Sequence, residues 1–105
     1  MEGSKGRLLL AGFDLDQAEK AIVDNTIKNY EHKIGERFRY DYIKLRLRKS
    51  NRGKSVLYEV EGSIKAGNKL FNSKTTDYNL FAAVAEVLEK MLNEMIHKLR
   101  KDKEK

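Results

Sequence analysis

The chain has 105 residues, of which 40 % are hydrophobic and 36 % are charged, and it contains neither cysteine nor proline. This length predicts a single domain, residues 1–105, and the lack of cysteine excludes disulfides and thiolate metal sites. No apolar run is long enough for a signal peptide or a membrane span, so we expect a cytoplasmic protein without a membrane partner.

The net charge of +6 is unevenly distributed along the chain. Residues 33–54 contain nine lysines and arginines against two carboxylates, and residues 97–105 contain five against two. The stretches expected to form helix bodies, 14–32 and 77–96, each have a net charge of −3. A basic excess confined to one segment and one tail favours a phosphate-bearing or acidic partner. The simplest alternative is a solvated basic face that only aids solubility.

The first third of the chain predicts a strand followed by a helix. The apolar run RLLLAGF, residues 7–13, is typical of a buried strand. Asp14 precedes Gln17 by three residues, which is the spacing of a capping box. Apolar residues then recur at helical spacing as far as Gly35, which predicts a helix over 15–34 with the glycine at its end. The expected apolar stripe consists of Ala18, Ile22, Val23, Ile27, Tyr30 and Ile34.

The period then changes from helical to alternating. Residues 42–49 alternate between an apolar and a basic face, which predicts a strand. The apolar face consists of Ile43, Leu45 and Leu47, and the basic face of Lys44, Arg46 and Arg48. Phe38, Tyr40 and Tyr42 have the opposite parity from the apolar residues that follow, so we expect a bulge or a bend near residue 42.

Two glycine-containing turns divide the middle of the chain. Gly53 is the expected pivot of a turn over 50–55, and residues 56–66 again alternate as a strand. Gly67 and Asn68 form a tight hairpin signal. The weaker pattern over 69–76 predicts a fourth strand at an edge of the sheet.

The C-terminal part of the chain predicts an amphipathic helix with Asn79 or Asp77 as its N-cap. Its expected apolar stripe consists of Phe81, Val84, Leu88, Met91, Met95 and Leu99. The small residues behind Phe81 allow close approach to a neighbouring helix, and the helix ends in the basic stretch 97–105. The element order is β-α-β-β-β-α. It predicts an α+β fold in which two helices pack on one face of a four-stranded sheet.

Motifs for catalysis or metal binding are absent from the sequence. The two histidines, His32 and His97, have no ligand spacing, and no glycine-rich phosphate loop or nucleophile motif occurs. We therefore expect no enzyme activity, no metal, no cofactor and no small-molecule substrate.

The basic alternation instead indicates a binding surface. Cations on one face of a strand recur about every 7 Å, a spacing at which each can meet a backbone phosphate. Lys49, Arg52 and Lys54 are expected to extend this row into the following turn. Tyr40 and Tyr42 are candidates for base stacking, although packing within the fold is favoured for both. The alternative is an open sheet face that cations keep soluble.

The element order and the segment NLFAAVAEVLEKM, followed by a lysine-rich end, resemble the ribosome hibernation-promoting factors. These are also called the ribosome-associated inhibitor or sigma-modulation family. The likeness lies in the polar cap Asn79, the aromatic Phe81 with two alanines behind it, and Lys90 before the aliphatic Met91.

The resemblance implies a non-catalytic translation regulator of the stress response. Such proteins bind rRNA of the small ribosomal subunit in the channel for mRNA and tRNA. The candidate rRNA contacts on the helices are Lys28, Lys33, Lys90, Lys98, Arg100 and Lys101. The carry-over is strongest for Lys90, Lys98 and Lys101. Compared with the family pattern, the helices have fewer bases and the second strand has more.

Two other functions fit the same sequence. One is a general RNA-binding module of the double-stranded RNA-binding type, which shares an α-β-β-β-α core. The other is a protein-interaction or dimerisation module that uses a sheet edge, with the cations serving only solubility. Binding to RNA would weaken steeply with salt, whereas binding at a sheet edge would change little. The oligomeric state is left open by the sequence.

Overall fold

The computed structural model describes the backbone of residues 6–103 and the side chains of residues 6–99. Its elements in chain order are β1 (Arg7–Ala11), α1 (Gln17–Arg37), β2 (Tyr42–Arg52), β3 (Ser55–Ala66), β4 (Lys69–Asp77) and α2 (Leu80–Lys103). The strands form one sheet in the order β1-β2-β3-β4, with β1 parallel to β2 and the other pairs antiparallel. The predicted α+β fold and element order are confirmed.

Helix α1 begins two residues later than predicted because a different aspartate caps it. The Asp16 carboxylate accepts a hydrogen bond of 2.8 Å from the Glu19 backbone N–H, and the Glu19 side chain accepts one of 3.4 Å from the Asp16 N–H. This reciprocal pair is a capping box. The prediction of a box between Asp14 and Gln17 was wrong, because the same three-residue spacing recurs two residues further on with a glutamate.

Helix α1 also ends later than predicted, because Gly35 is a helical residue and not the terminator. The chain leaves the helix at Phe38, whose φ of −138° is extended and whose N–H donates to the Ile34 carbonyl at 2.8 Å. An ordinary extended residue therefore closes this helix, so the left-handed glycine expected at the end is unnecessary.

The inward face of α1 differs from the predicted stripe. Val23, Ile27 and Ile34 are buried as expected, together with Glu31, whose exposure is only 7 %. Ala18 is exposed, and Ile22 retains 48 % of its accessible surface. Part of the apolar stripe that periodicity assigned to the core is therefore exposed to solvent.

Strand β1 is an edge strand, and the prediction that it is buried was wrong. Leu9 and Leu10 each retain 41 % exposure. The strand ends just before Gly12, which has φ +79° and lies so close to the Leu47 carbonyl that a Cβ would clash with it. An apolar run such as residues 7–13 is therefore compatible with an edge strand as well as with a buried one. Local sequence does not distinguish the two positions.

The two hairpins of the sheet follow the predicted turns. Gly53 and Gly67 have φ values of +64° and +65°, the left-handed conformation that favours glycine. The first turn is tighter than predicted, because β2 continues to Arg52 and β3 starts at Ser55. Strand β4 is the second edge of the sheet, as expected. A bend occurs at Asp41, just before β2.

Helix α2 is capped by Asn79, whose Oδ1 accepts from the Ala82 N–H at 3.0 Å. Asp77 supports this cap, because its carboxylate accepts from the Asn79 N–H at 2.8 Å. Phe81 and Leu99 of the predicted stripe are only half-buried. The fully covered face of α2 is wider than predicted and consists of Leu80, Ala83, Val84, Val87, Leu88, Met91, Leu92 and Met95.

The core lies between α2, α1 and one face of the sheet. That sheet face contributes Ile43, Leu45, Leu47, Val60, Ile64 and Phe71. Gly62 lies under α2, where an added Cβ would come within 2.7 Å of Met91 Cε and Val87 Cγ1. The helices cover these residues, and the opposite face of the sheet is open to solvent.

We predict that Gly62→Val lowers the free energy of unfolding by about 1–3 kcal/mol, because the extra atoms overpack the contact between β3 and α2. Urea denaturation followed by circular dichroism measures this change. Thr76→Val, at an exposed position of the open sheet face, is the matched control and should alter stability little. Equal stability of the two variants would contradict the close contact described for Gly62.

Candidate nucleic-acid interface

The open face of the sheet carries the basic row predicted for β2. Lys44, Arg46 and Arg48 are exposed, while the alternating residues Ile43, Leu45 and Leu47 are buried against the helices. Within residues 6–99, none of the three cationic side chains makes an ion pair or a hydrogen bond. The row is therefore available to an external anion.

The neighbouring strand places carboxylates beside these cations. In the antiparallel register Arg46 is opposite Glu61, and Arg48 is opposite Glu59. Glu61 is in turn opposite Lys74 of β4, whose Nζ lies 3.2 Å from a carboxylate oxygen of Glu59. Exposed pairs of this kind contribute little stability and exchange readily with other ions. The face thus has an acidic ridge on β3 between cations on β2 and β4.

A shallow depression of about 630 Å³ lies at the centre of the open face. Lys44, Arg46 and Lys74 surround it, and Glu61 forms part of its lining. Its polar floor includes Ser63, whose hydroxyl donates to Asn72 Oδ1 at 2.8 Å. Three cations around one concavity favour an anionic ligand, and hydroxyl and amide groups add hydrogen-bonding capacity.

Two further cations of this face were missed by the sequence reading. Lys65 is exposed and stands opposite Tyr42, and Lys74 lies across β3 from Arg46. Strand alternation gives Lys65 the outward parity, but only the register of the hairpin shows which residue it neighbours. Tyr42 is half-buried on this face, whereas Tyr40 is 5 % exposed and belongs to the core. Of the two tyrosines predicted for base stacking, Tyr42 is therefore the one whose ring solvent can reach.

The three residues expected to extend the row are placed differently from one another. Arg52 and Lys54 are exposed at the β2–β3 turn. Lys49 has the parity of the inward face, and its Nζ donates to the Asp14 carbonyl at 3.0 Å. This contact ties β2 to the segment before α1, so Lys49 does not continue the row formed by Arg46 and Arg48.

The candidate contacts on the helices form a separate surface, in the helical layer behind the sheet. Lys28, Lys33, Lys90 and Lys98 are all exposed there. Lys90 Nζ lies 3.4 Å from Glu86 Oε2, and Lys98 Nζ lies 3.4 Å from Glu94 Oε2. Both are ion pairs between residues one helical turn apart. These lysines and the sheet row therefore belong to different layers of the fold. The side chains of Arg100 and Lys101 lie outside the described residues.

Tyr30 links the two helices beside Lys33. Its hydroxyl donates to Glu89 Oε1 at 2.6 Å, and Lys33 Nζ lies 4.8 Å from the centre of its ring. Burial, followed by the hydrogen bond and the charge of Glu89, raises the pKa of Tyr30 to about 12. Burial, with the charge of Glu31 second, also raises the pKa of Tyr40. Lys33 and Glu89 therefore have a structural role in the helical layer.

We predict that Tyr30→Phe makes stability less dependent on pH above 10. Between pH 10 and 12 the folded chain retains a phenol proton that the unfolded chain, with a tyrosine pKa of about 10, releases. Stability therefore falls as pH rises through this window, and the variant lacks that contribution. Urea denaturation at pH 9 and pH 11 measures the loss, with the exposed Tyr78→Phe as control. An equal loss in Tyr30→Phe and wild type would contradict the prediction.

Among the described residues, no group of three His, Asp or Glu side chains converges as a metal site. His32 Nε2 lies 3.0 Å from Oε2 of Glu36, which is one turn further along α1. Neither helix, over its described length, is long and apolar enough to span a bilayer.

Comparison with known proteins identifies the fold. No protein-family model matches the chain, and no curated protein matches its sequence. A ribosomal subunit interface protein from Coxiella burnetii superposes with a TM-score of 0.61 at 15 % identity, over 94 % of this chain and 99 % of the other. The Protein Y N-terminal domain from Thermus thermophilus superposes with a TM-score of 0.53 at 14 % identity, over 84 % of this chain and 90 % of the other.

These identities are too low to carry residue roles, so the similarity concerns the fold. It extends over nearly the whole of both chains, and it agrees with the resemblance drawn from the element order and the α2 segment. The chain has the fold of the ribosomal subunit interface protein and of the Protein Y N-terminal domain.

Proposed function

We propose that this protein associates with the ribosome as a non-catalytic cytoplasmic factor. It binds rRNA of the small subunit in the channel for mRNA and tRNA, and so inhibits translation on idle ribosomes under stress. The observation that carries the proposal is the unpaired basic row on the open sheet face, in a fold shared with a ribosomal subunit interface protein. Neither feature alone is sufficient, because the fold does not specify a ligand and a basic face does not specify an RNA.

The open sheet face is the better candidate surface of the two. Lys44, Arg46 and Arg48 have no internal partners among the described residues, whereas the α2 lysines Lys90 and Lys98 each lie beside a glutamate. A row along a strand also has a repeat of about 7 Å, comparable to the spacing of phosphates along a nucleic-acid strand. We therefore assign rRNA binding to the sheet, with Lys65 and Lys74 as additional contacts.

Co-sedimentation with isolated small ribosomal subunits tests this function. The protein should pellet stoichiometrically at low salt, dissociate as salt rises, and be displaced by tRNA. A short RNA duplex serves as the competitor that represents a general double-stranded RNA-binding module. Displacement by the duplex as readily as by tRNA would favour that alternative. A protein that stays in the supernatant even at low salt would contradict the ribosomal proposal.

A matched pair of double variants then distinguishes the two surfaces. Arg46→Gln with Arg48→Gln, and Lys28→Gln with Lys90→Gln, each remove two positive charges from exposed positions. The sheet variant should reduce the slope of log affinity against log salt by about 2, because two phosphate contacts are lost. The helix variant should leave the slope nearly unchanged. Equal slopes for the two variants would contradict the assignment to the sheet.

A further inference from the structure

The outer edge of β1 presents free backbone groups in a defined pattern. The Arg7 N–H donates to the Asp41 carbonyl at 3.1 Å, and Arg7 is paired with Tyr42 in the parallel register. In a parallel pair, alternate residues direct both N–H and C=O toward the partner strand. Arg7, Leu9 and Ala11 therefore bond to β2. The backbone groups of Leu8 and Leu10 point outward, where no strand formed by residues 6–103 follows.

Apolar side chains flank this edge on both faces of the sheet. Leu9 lies on the open face in register with Lys44, and Leu10 lies on the helix side in register with Leu45. Each is 41 % exposed, and Ile22 on α1 is 48 % exposed. A small cavity of about 150 Å³ adjoins Leu10, with Phe13 in its lining. Residues 8–11 contain no charge that would oppose a second strand.

The other edge of the sheet is protected against pairing. Strand β4 carries Lys74 and Asp77 along its length, and its exposed Leu70 directly follows a lysine in the chain. Charged residues, lysine above all, are the usual means by which natural edge strands resist edge-to-edge association. The contrast makes β1 the edge that is open to another strand.

We propose that β1 pairs antiparallel with β1 of a second copy of this chain, about a two-fold axis at Leu9. The outward groups of Leu8 and Leu10 then exchange hydrogen bonds with Leu10 and Leu8 of the copy, which gives four bonds. Leu9 faces Leu9 of the copy as a non-hydrogen-bonded pair, and Arg7 faces Ala11. The two sheets become one of eight strands, with both basic faces on the same side.

A second copy fits this edge because the strand is complementary to itself. In this register every apposed pair is Leu with Leu or Arg with Ala, so no like charges are brought together along the ladder. A strand of five residues provides an area below the roughly 1,000 Å² typical of stable interfaces, so the dimer is weak and depends on concentration. Two chains of charge +6 also repel each other. Because salt screens this repulsion, the dimer strengthens slightly with salt, whereas RNA binding weakens steeply.

Disulfide trapping tests the register, because the chain contains no cysteine of its own. Directly opposed residues of a non-hydrogen-bonded pair have Cα atoms about 4.5 Å apart, within the range of a disulfide of about 4.4–6.8 Å. Leu9→Cys should therefore form covalent dimers at least tenfold faster than Leu70→Cys, an exposed leucine on the protected edge. Equal rates for the two variants would overturn the proposal.

Sedimentation equilibrium of the wild type gives a second, independent reading. The average mass should rise with concentration up to about 1 mM and rise further with salt. Leu9→Lys should abolish this rise, because it places two lysines directly opposite each other at the two-fold axis. A mass that stays monomeric throughout would overturn the proposal. The proposal does not depend on ribosome binding, since neither experiment contains RNA.

Discussion

The structure depends above all on the alternation of β2 within a sheet that is covered on one side only. Each residue of β2 faces either the core or solvent, so Ile43, Leu45 and Leu47 anchor the sheet to the helices. The same alternation places Arg46 and Arg48 on the open face. A shift of one residue in register would bury the cations and expose the aliphatic residues, so the core and the basic face specify one another.

The open face is basic but not uniformly so. Glu59 and Glu61 form a ridge between cations on both sides, and Lys74 lies within ion-pair distance of Glu59. In the free protein this ridge lowers the repulsion among the cations. If RNA binds here as proposed, its phosphates would compete with these carboxylates, which would disfavour generic polyanions and favour a partner whose phosphates match the β2 row. The helical layer instead has ion pairs one turn apart within each helix.

Features encoded by local periodicity were predictable, and features set by tertiary neighbours were not. The element order, the β2 alternation and both glycine turns follow from patterns a few residues long. Asp14 and Asp16 offered equivalent cap spacings, and only the Glu19 side chain distinguishes them. Strand order and register determine the three features that were not predicted. These are the exposure of β1, the contact of Lys49 with the Asp14 carbonyl, and the apposition of Arg46 and Glu61. No pattern of a few residues predicts them.

Chemical protection of lysines tests the central claim, that RNA binds to the open sheet face. The free protein and its complex with small ribosomal subunits are acetylated briefly, and each modified lysine is quantified by mass spectrometry. The account predicts strong protection on the sheet face, at Lys44, Lys65 and Lys74. It predicts unchanged reactivity in the helical layer, at Lys28, Lys90 and Lys98. Protection of the helical lysines, with the sheet lysines still reactive, would contradict it.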